Sequence, residues 1–433
     1  MSSDTITYAN QASGFMHVHQ DPSATNRHQT TPIPWSMLVD IIQNAHSLYP
    51  MECDHRTNVL SRVLLCIYEC QGDKDQAIHT YQQLLPRLHL LRPVLSSSIV
   101  LHSENWQTHL GNASSYQNYL AFFDQEIQQR GVDNTVRHYL PQLPPSLHSQ
   151  LQPLAHLTLG FEHGLSPMVS EGLAYLCCTF DAAAPWLNGC TTRIVSDDRL
   201  PSLSEDPPSP LTAPSIVCVT TPAAEPHALG ILSPFANYHS SPLDNVLFDS
   251  IRADPRFNGV MEGGRPMAAK VKQLLKSHGA LLQQYLDEWM THSTNTMDRR
   301  LDELTLVCLH MVHANILDEP THHLLASTVA LRTLYLTNIF LHHDRLLHQW
   351  VSTLALLMMC TFIIQGKPST THLISNSLAY TTWHSCHQAF LSLHAPPVYT
   401  LVLRSLCKID KPLSLSIANT LIHTLEQQPP IDE

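Results

Sequence analysis

Apolar side chains that return every three or four positions constrain this chain more than any other feature. That spacing lines one face of a helix and cannot line one face of a strand. Leu60, Val63, Leu64, Ile67 and Tyr68 form one such stripe, broken at Gln71-Gly72-Asp73, and a second amphipathic segment runs from Asp75 to Leu85. Tyr116, Tyr119, Leu120, Phe122, Phe123 and Ile127 predict a helix stopped at Arg130-Gly131, with the Phe pair as core. After an interruption the pattern returns: Val271, Leu274, Leu275, Leu281, Leu282, Tyr285 and Trp289 share a face, and so do Leu304, Val307, Leu309, Met311 and Val312. No repeat of fixed period and no alternation of strand and helix signals is visible, which argues against a solenoid and a parallel sheet. The expected fold is all-α.

The interruption lies at 196–242, where nine prolines fall in under fifty residues. Neither a helix nor a central strand absorbs that density. Only SIVCVT at 215–220 offers a strand-like run there. The chain therefore reads as a single large multi-helix domain over 36–425 with a Pro/Ser-rich internal loop, a flexible arm at 1–35 and a tail at 426–433. The most apolar stretch, Val351 to Ile364, is shorter than the roughly 20 residues of a bilayer span and ends at Gln365-Gly366-Lys367-Pro368, so it predicts a buried core helix and no membrane span.

With 24 basic against 36 acidic residues, the formal charge of −12 gives no electrostatic grip on phosphates, so a nucleic-acid partner is not expected. The 14 glycines form neither GxGxxG nor GxxxxGK[ST], and no flavin or GxSxG motif is present. The turn at GVMEGG, 259–264, lacks a preceding strand signal. No basic-then-apolar start suggests secretion, and the 11 cysteines lack disulfide or zinc spacing, so a cytoplasmic, reducing home is expected, with Cys66, Cys70, Cys177 and Cys178 as structural thiols.

Chemistry is concentrated in 29 histidines. His310 and His313 stand one helical turn apart, as do His384 and His387, and doublets occur at His322-His323 and His342-His343. Several imidazoles on one helix face of a bundle can build a metal cage. A His-rich chain also produces such pairs by chance, with solvated or hydrogen-bonded side chains. Both readings stand at this level.

The run QPLAHLTLGFEHGLSPMVSEGLAYLC from Gln152 resembles the signature of the questin oxidase-like family, a segment of the form HPLIHLGYGLE followed by an apolar helix with a Glu-Gly-Leu-Ala step. Pro153, Leu154, His156, Leu157, Glu162, Glu171, Gly172, Leu173 and Ala174 carry the match. Collinear likeness extends to Trp106 and Tyr116 through Ile127, to DNVLFDSIRADP at 244–255, to Asp302-Glu303-Leu304, to Asp318 with His323-Leu324-Leu325, and to Gly366-Lys367-Pro368 and Arg404-Ser405-Leu406. The resemblance covers about 36–425.

It implies an all-helical oxidoreductase of secondary metabolism that opens an anthraquinone-like polyketide by Baeyer-Villiger-type oxygen insertion, with NADPH as reductant and a His-built non-haem iron centre as one means of handling O2. On that reading His156 and His323 are the catalytic and metal-ligating positions, with His310 and His313 as weaker candidates. The departures are specific. Imidazoles of the family's N-terminal segment are replaced around Arg56 to Arg62, leaving His55 nearby; Gln152 stands at the first family His, and Val398 and Leu401 stand at a family His and Lys. An iron site then needs further ligands from His163, His310, His313, His387 or His394. The alternatives are a catalytically silent member that binds ligands or partners, and a helical adaptor.

Overall fold

The computed structural model describes residues 31–53, 56–91, 100–187, 241–259, 266–292, 296–369, 379–393 and 395–428. The Pro/Ser-rich segment up to residue 240, SIVCVT, residues 1–30, His55 and His394 lie outside them.

The expected helices form. Trp35–Leu48 is α1, Leu60–Glu69 α2 and Lys74–Leu84 α3. The break between α2 and α3 is a capping box: Asp73 accepts from Gln76 N at 2.8 Å, and Gln76 Oε1 accepts from Asp73 N at 2.9 Å. Tyr116–Arg130 is α4, ended by Gly131 at φ 80°, a conformation that favours glycine, and Val132–Tyr139 is α5. Gln152–Glu162, α6, and Ser166–Cys178, α7, make a helical hairpin. Beyond a capped turn at Ser241 that widens into a π-helical segment over Asn245–Ile251 come Met267–His292 as α8, Met297–Ala314 as α9 and Glu319–Leu336 as α10. Asp344–Ile364, Trp383–Ser392, Tyr399–Ile409 and Pro412–Glu426 are α11 to α14.

Two apolar bodies form the core. The larger runs from α4 to α14 around Trp289, Trp350 and Phe362; the smaller joins α1, α2 and α3 to Leu159, Leu165 and Met168 of the α6–α7 hairpin. That hairpin therefore belongs to both, so its side chains are held from two sides. Strand structure among the described residues is one two-residue ladder, Glu52–Cys53 against Arg56–Thr57.

Two expectations need adjusting. The last residues of the expected arm are docked: Ile33 is buried, Pro32 bridges Asp73, and α1 starts at Trp35. The core helix is also longer than its apolar stretch, because α11 begins at Asp344 with a half-polar turn; at 21 residues it has the length and hydropathy to cross a membrane, yet 83% of its apolar window is buried among other helices. Cys66, Cys70, Cys177 and Cys178 are free and buried, as structural thiols should be, and burial pushes the Cys66 thiol up to about 12.

Candidate functional site

The segment before α6 has a backbone that side-chain pattern does not announce. Ser149, Gln150 and Leu151 have φ of 48°, 50° and 64°, three consecutive non-glycine residues in the left-handed region. Each costs about 1–2 kcal/mol, so such a turn persists only where its surroundings fix it. Here Ser327 Oγ donates to Gln150 O at 2.7 Å, Gln150 Nε2 donates to Thr361 Oγ1 at 3.1 Å, and Leu151 is fully buried. The turn thereby presents His148 and Ser149 to a cleft of about 220 Å³ whose walls include Glu52, Thr57, Met267, Val271 and His323.

Glu52 is the hub of that cleft. Tyr175 donates its hydroxyl to Oε2 at 2.5 Å, Ser149 Oγ at 3.1 Å and His148 Nε2 at 3.0 Å, while Thr57 Oγ1 lies 3.0 Å from the Tyr175 oxygen. Burial works to raise the Glu52 carboxyl, but the hydrogen bonds of His148 and Tyr175 outweigh it and hold it below its ordinary range. Burial, reinforced by Glu52, lifts Tyr175 well above its usual value, so it stays a donor. His148, oriented through Nε2, makes no Nδ1 hydrogen bond among the described residues. A carboxylate that orients an imidazole whose second nitrogen is unengaged is the arrangement of a general acid or base.

His323 lines the same cleft. Burial, then the positive charge of Arg62, lowers it to about 3, so it is a neutral ring at working pH. Glu319, 3.5 Å away and 75% exposed, is too distant and too well solvated to charge it.

Behind the cleft runs a second array. Asp124 on α4, His46 on α1, Glu171 on α7 and His156 on α6 are joined in that order: His46 Nε2 to Asp124 Oδ2 at 3.2 Å, His46 Nδ1 to Glu171 Oε1 at 3.2 Å, His156 Nε2 to Glu171 Oε2 at 2.7 Å. Burial lowers His156, against the pull of Glu171, and leaves it neutral. Burial acts on His46 in the same direction, but hydrogen bonds to Asp124 and Glu171 raise it to about 9. His156 Nδ1 is buried and unpartnered. Glu171 and Tyr175 stand one turn apart on α7, so one helix carries both arrays.

A family model, questin oxidase-like, matches residues 57–398, most of the chain. The chain belongs to the questin oxidase-like family. A stretch of 83 residues is 32% identical to questin oxidase of Aspergillus fumigatus, covering 17% of this chain and 19% of that protein. Membership of a questin oxidase-like family puts oxidoreductase chemistry first among the classes to consider.

The family's two matched imidazoles are not brought to one cavity. His323 faces the cleft; His156 is not among its walls and is committed to Glu171. Between them stands Arg62 of α2, fully buried, whose Nη1 donates to Gln152 Oε1 at 2.6 Å, while Gln152 Nε2 donates to His323 O at 3.1 Å. Two of the departures from the family pattern, Arg62 and Gln152, thus touch each other. The remaining imidazoles are elsewhere: His163 on Glu69 at 2.9 Å, His310 on Asp244 at 3.1 Å with His313 on the same helix, His387 beside Trp383. Val398 stands before α13 and Leu401 within it.

Among the described residues no group of three or more His, Cys, Asp or Glu is arranged to hold a metal. A guanidinium next to both matched imidazoles repels a cation as well, so these residues do not fit an iron centre. The cleft walls carry Glu52 and Glu319 and, among the described residues, no Lys or Arg, which does not fit the phosphates of NADPH. His148, Ser149 and Glu52 escaped the sequence reading because their meeting depends on a left-handed turn with no glycine to signal it.

Proposed function

We propose that this chain is an oxidoreductase of the questin oxidase type, inserting oxygen beside a ring carbonyl of an anthraquinone-like polyketide bound in the cleft. One atom of O2 enters the product and the other leaves as water, the balance being completed by two protons and by two electrons from a reductant that this cleft does not hold. The observation that carries the reading is the strained turn at Ser149 to Leu151, held at the wall of a cleft lined by His148 and Glu52, with the buried Tyr175 donating to Glu52. Backbone strain of this kind collects at working sites.

The residues' part is acid-base and positional. His148, backed by Glu52, takes a phenolic proton from the substrate, which raises electron density on the ring to be oxidised. The neutral His323 orients a substrate oxygen from the opposite wall. A silent, ligand-binding member is the second reading, favoured by Arg62 and Gln152 at positions where the family pattern has imidazoles.

The test is turnover of hydroxylated anthraquinones with NADPH under ¹⁸O2, followed by mass spectrometry. A ring-opened product carrying one labelled oxygen is expected, with His148→Gln and Glu52→Gln each lowering kcat at least tenfold. Ligand binding without turnover in the unaltered protein would replace the oxidoreductase reading with the silent one.

A further inference from the structure

The turn that presents His148 and Ser149 to the cleft is held from behind. Gln150, the middle of its three left-handed residues, is buried at φ 50°. Its carbonyl accepts from Ser327 Oγ at 2.7 Å, and its side-chain Nε2 donates to Thr361 Oγ1 at 3.1 Å. Ser327 is on α10 and Thr361 on α11; both are fully buried, and neither belongs to the cleft wall. Two residues further on, Gln152 Nε2 donates to His323 O at 3.1 Å. His323 and Ser327 stand one turn apart on α10, so a single face of that helix lines the cleft and grips the turn.

The chain is also fixed on the side that precedes the turn. Leu147 N donates to Asp181 O at 2.8 Å, and Ser146 Oγ accepts from Asp181 N at 3.0 Å. His148 and the three left-handed residues therefore span a gap between two anchored ends. Non-glycine residues keep a left-handed backbone only where their surroundings over-determine it. Without the hydroxyl of Ser327 or Thr361, a buried polar group of Gln150 loses its partner and the middle of the span is free to relax. Any relaxation there moves His148, two residues away, against Glu52.

We infer that Ser327 and Thr361 are positioning residues of the cleft: by holding Gln150 from α10 and α11 they set the left-handed turn and, through it, the contact of His148 with Glu52. The consequence for turnover rests on the function proposed above; the contact itself does not.

Glu52 reports that contact. Its neighbours are His148, Tyr175 and Ser149, with Cys178 behind and Glu319 and His323 elsewhere on the cleft wall. Burial raises its carboxyl, and the hydrogen bond of His148 is the largest of the effects that hold it down. In full-length protein labelled with ¹³C at glutamate carboxyls, the Glu52 signal, assigned by its loss in Glu52→Gln, is followed against pH. Ser327→Ala and Thr361→Val should each move its titration up toward the ordinary range, and Thr361→Ser, which keeps the hydroxyl, should leave it in place. Both shifting variants should lose about tenfold in kcat with KM little changed. Adding Ser327→Ala to His148→Gln should cost nothing more, because the two act through one contact. Folded Ser327→Ala and Thr361→Val with Glu52 titrating as in the unaltered protein would overturn the inference. A shifted Glu52 in a protein without turnover would end the oxidoreductase reading and leave the positioning role standing. Should Ser327→Ala not fold, Thr361→Val set against Thr361→Ser decides, since valine has the shape of threonine without its hydroxyl.

Discussion

Glu171 accepts the Nε2 proton of His156 at 2.7 Å while its other oxygen faces Nδ1 of His46 at 3.2 Å, so one buried carboxylate holds two imidazoles in opposite charge states. The difference comes from the far side of each ring. His46 meets a second carboxylate, Asp124, and stays charged; His156 has no second carboxylate, and burial, with a smaller push from the Arg62 guanidinium, keeps it neutral. Replacing Glu171 by Gln removes the central charge and leaves the His46 imidazolium one partner short. Breaking a buried pair in this way costs about 3–5 kcal/mol. Urea unfolding of Glu171→Gln should show a loss in that range, and NMR titration should show His46 moving down from about 9.

Stability should peak near neutrality, for reasons that differ on the two sides. His46 is raised from 6.5 to about 9 in the folded state, so its contribution is complete below 6.5 and is lost as pH rises through 9. His323 is lowered from 6.5 to about 3, so its contribution is present above 6.5 and is lost as pH falls toward 3. Glu69, kept ionised to about 2 against the effect of burial by His163 and Arg404, steepens the acid side below 4.5. His46→Gln should flatten the alkaline limb alone, as read from denaturation midpoints between pH 6 and 10.

Tyr175→Phe deletes a hydroxyl that donates to Glu52 at 2.5 Å and accepts from Thr57, with no change of shape. A hydrogen bond to a charged group contributes about 1.5–3 kcal/mol, so a stability loss near 2 kcal/mol is expected. The Glu52 carboxyl should rise toward its ordinary range, and the acid limb of the turnover profile should move to higher pH with it. An unshifted profile would leave Tyr175 a packing residue.

Metal removal should change nothing. The described donors do not form a metal site, and Arg62 stands beside His156 and His323. EDTA treatment should leave Tm unaltered, and anaerobic Fe(II) loading should give no stoichiometric iron by elemental analysis. His156→Ala and His323→Ala should then part company: the first should lower stability through the Glu171 array, the second should lower turnover and spare the fold.

Much of the helical architecture was legible because one apolar face per helix is enough to announce it: α2 and α4 start and stop within a residue or two of where Leu60 and Gln71, and Tyr116 and Arg130, put them. His323 was found through a collinear likeness, and it does line the cleft. The grouping of the site was not legible. Glu52 and Tyr175 are separated by 123 positions, and what joins them to His148 is a backbone turn whose residues carry no turn signal. Arg62 reads as an ordinary exposed cation on a helix, since no local pattern distinguishes an arginine that the fold encloses.

The α6–α7 crossing decides whether the Glu171 array exists. A Cβ at Gly172 would lie 2.5 Å from Leu157 Cβ, 2.7 Å from its Cα and 2.8 Å from its N, so no side chain can swing aside to admit it. Gly172 adjoins Glu171, and Leu157 adjoins His156; the absent methyl is what lets the carboxylate reach the imidazole. Gly172→Ala must therefore push the helices apart. Overpacking of this kind costs about 1–3 kcal/mol, and a backbone clash belongs at the upper end, against any gain in helix propensity. The separation should also lengthen the His156–Glu171 bond, so His46 should titrate below 9 even in protein that remains folded. Gly160→Ala, which would meet Met168 Cβ at 2.6 Å at the other end of the same crossing, should destabilise similarly and disturb His46 less. If both variants shift His46 equally, the whole hairpin moves as one body; if only Gly172→Ala does, the contact at Leu157 sets the array.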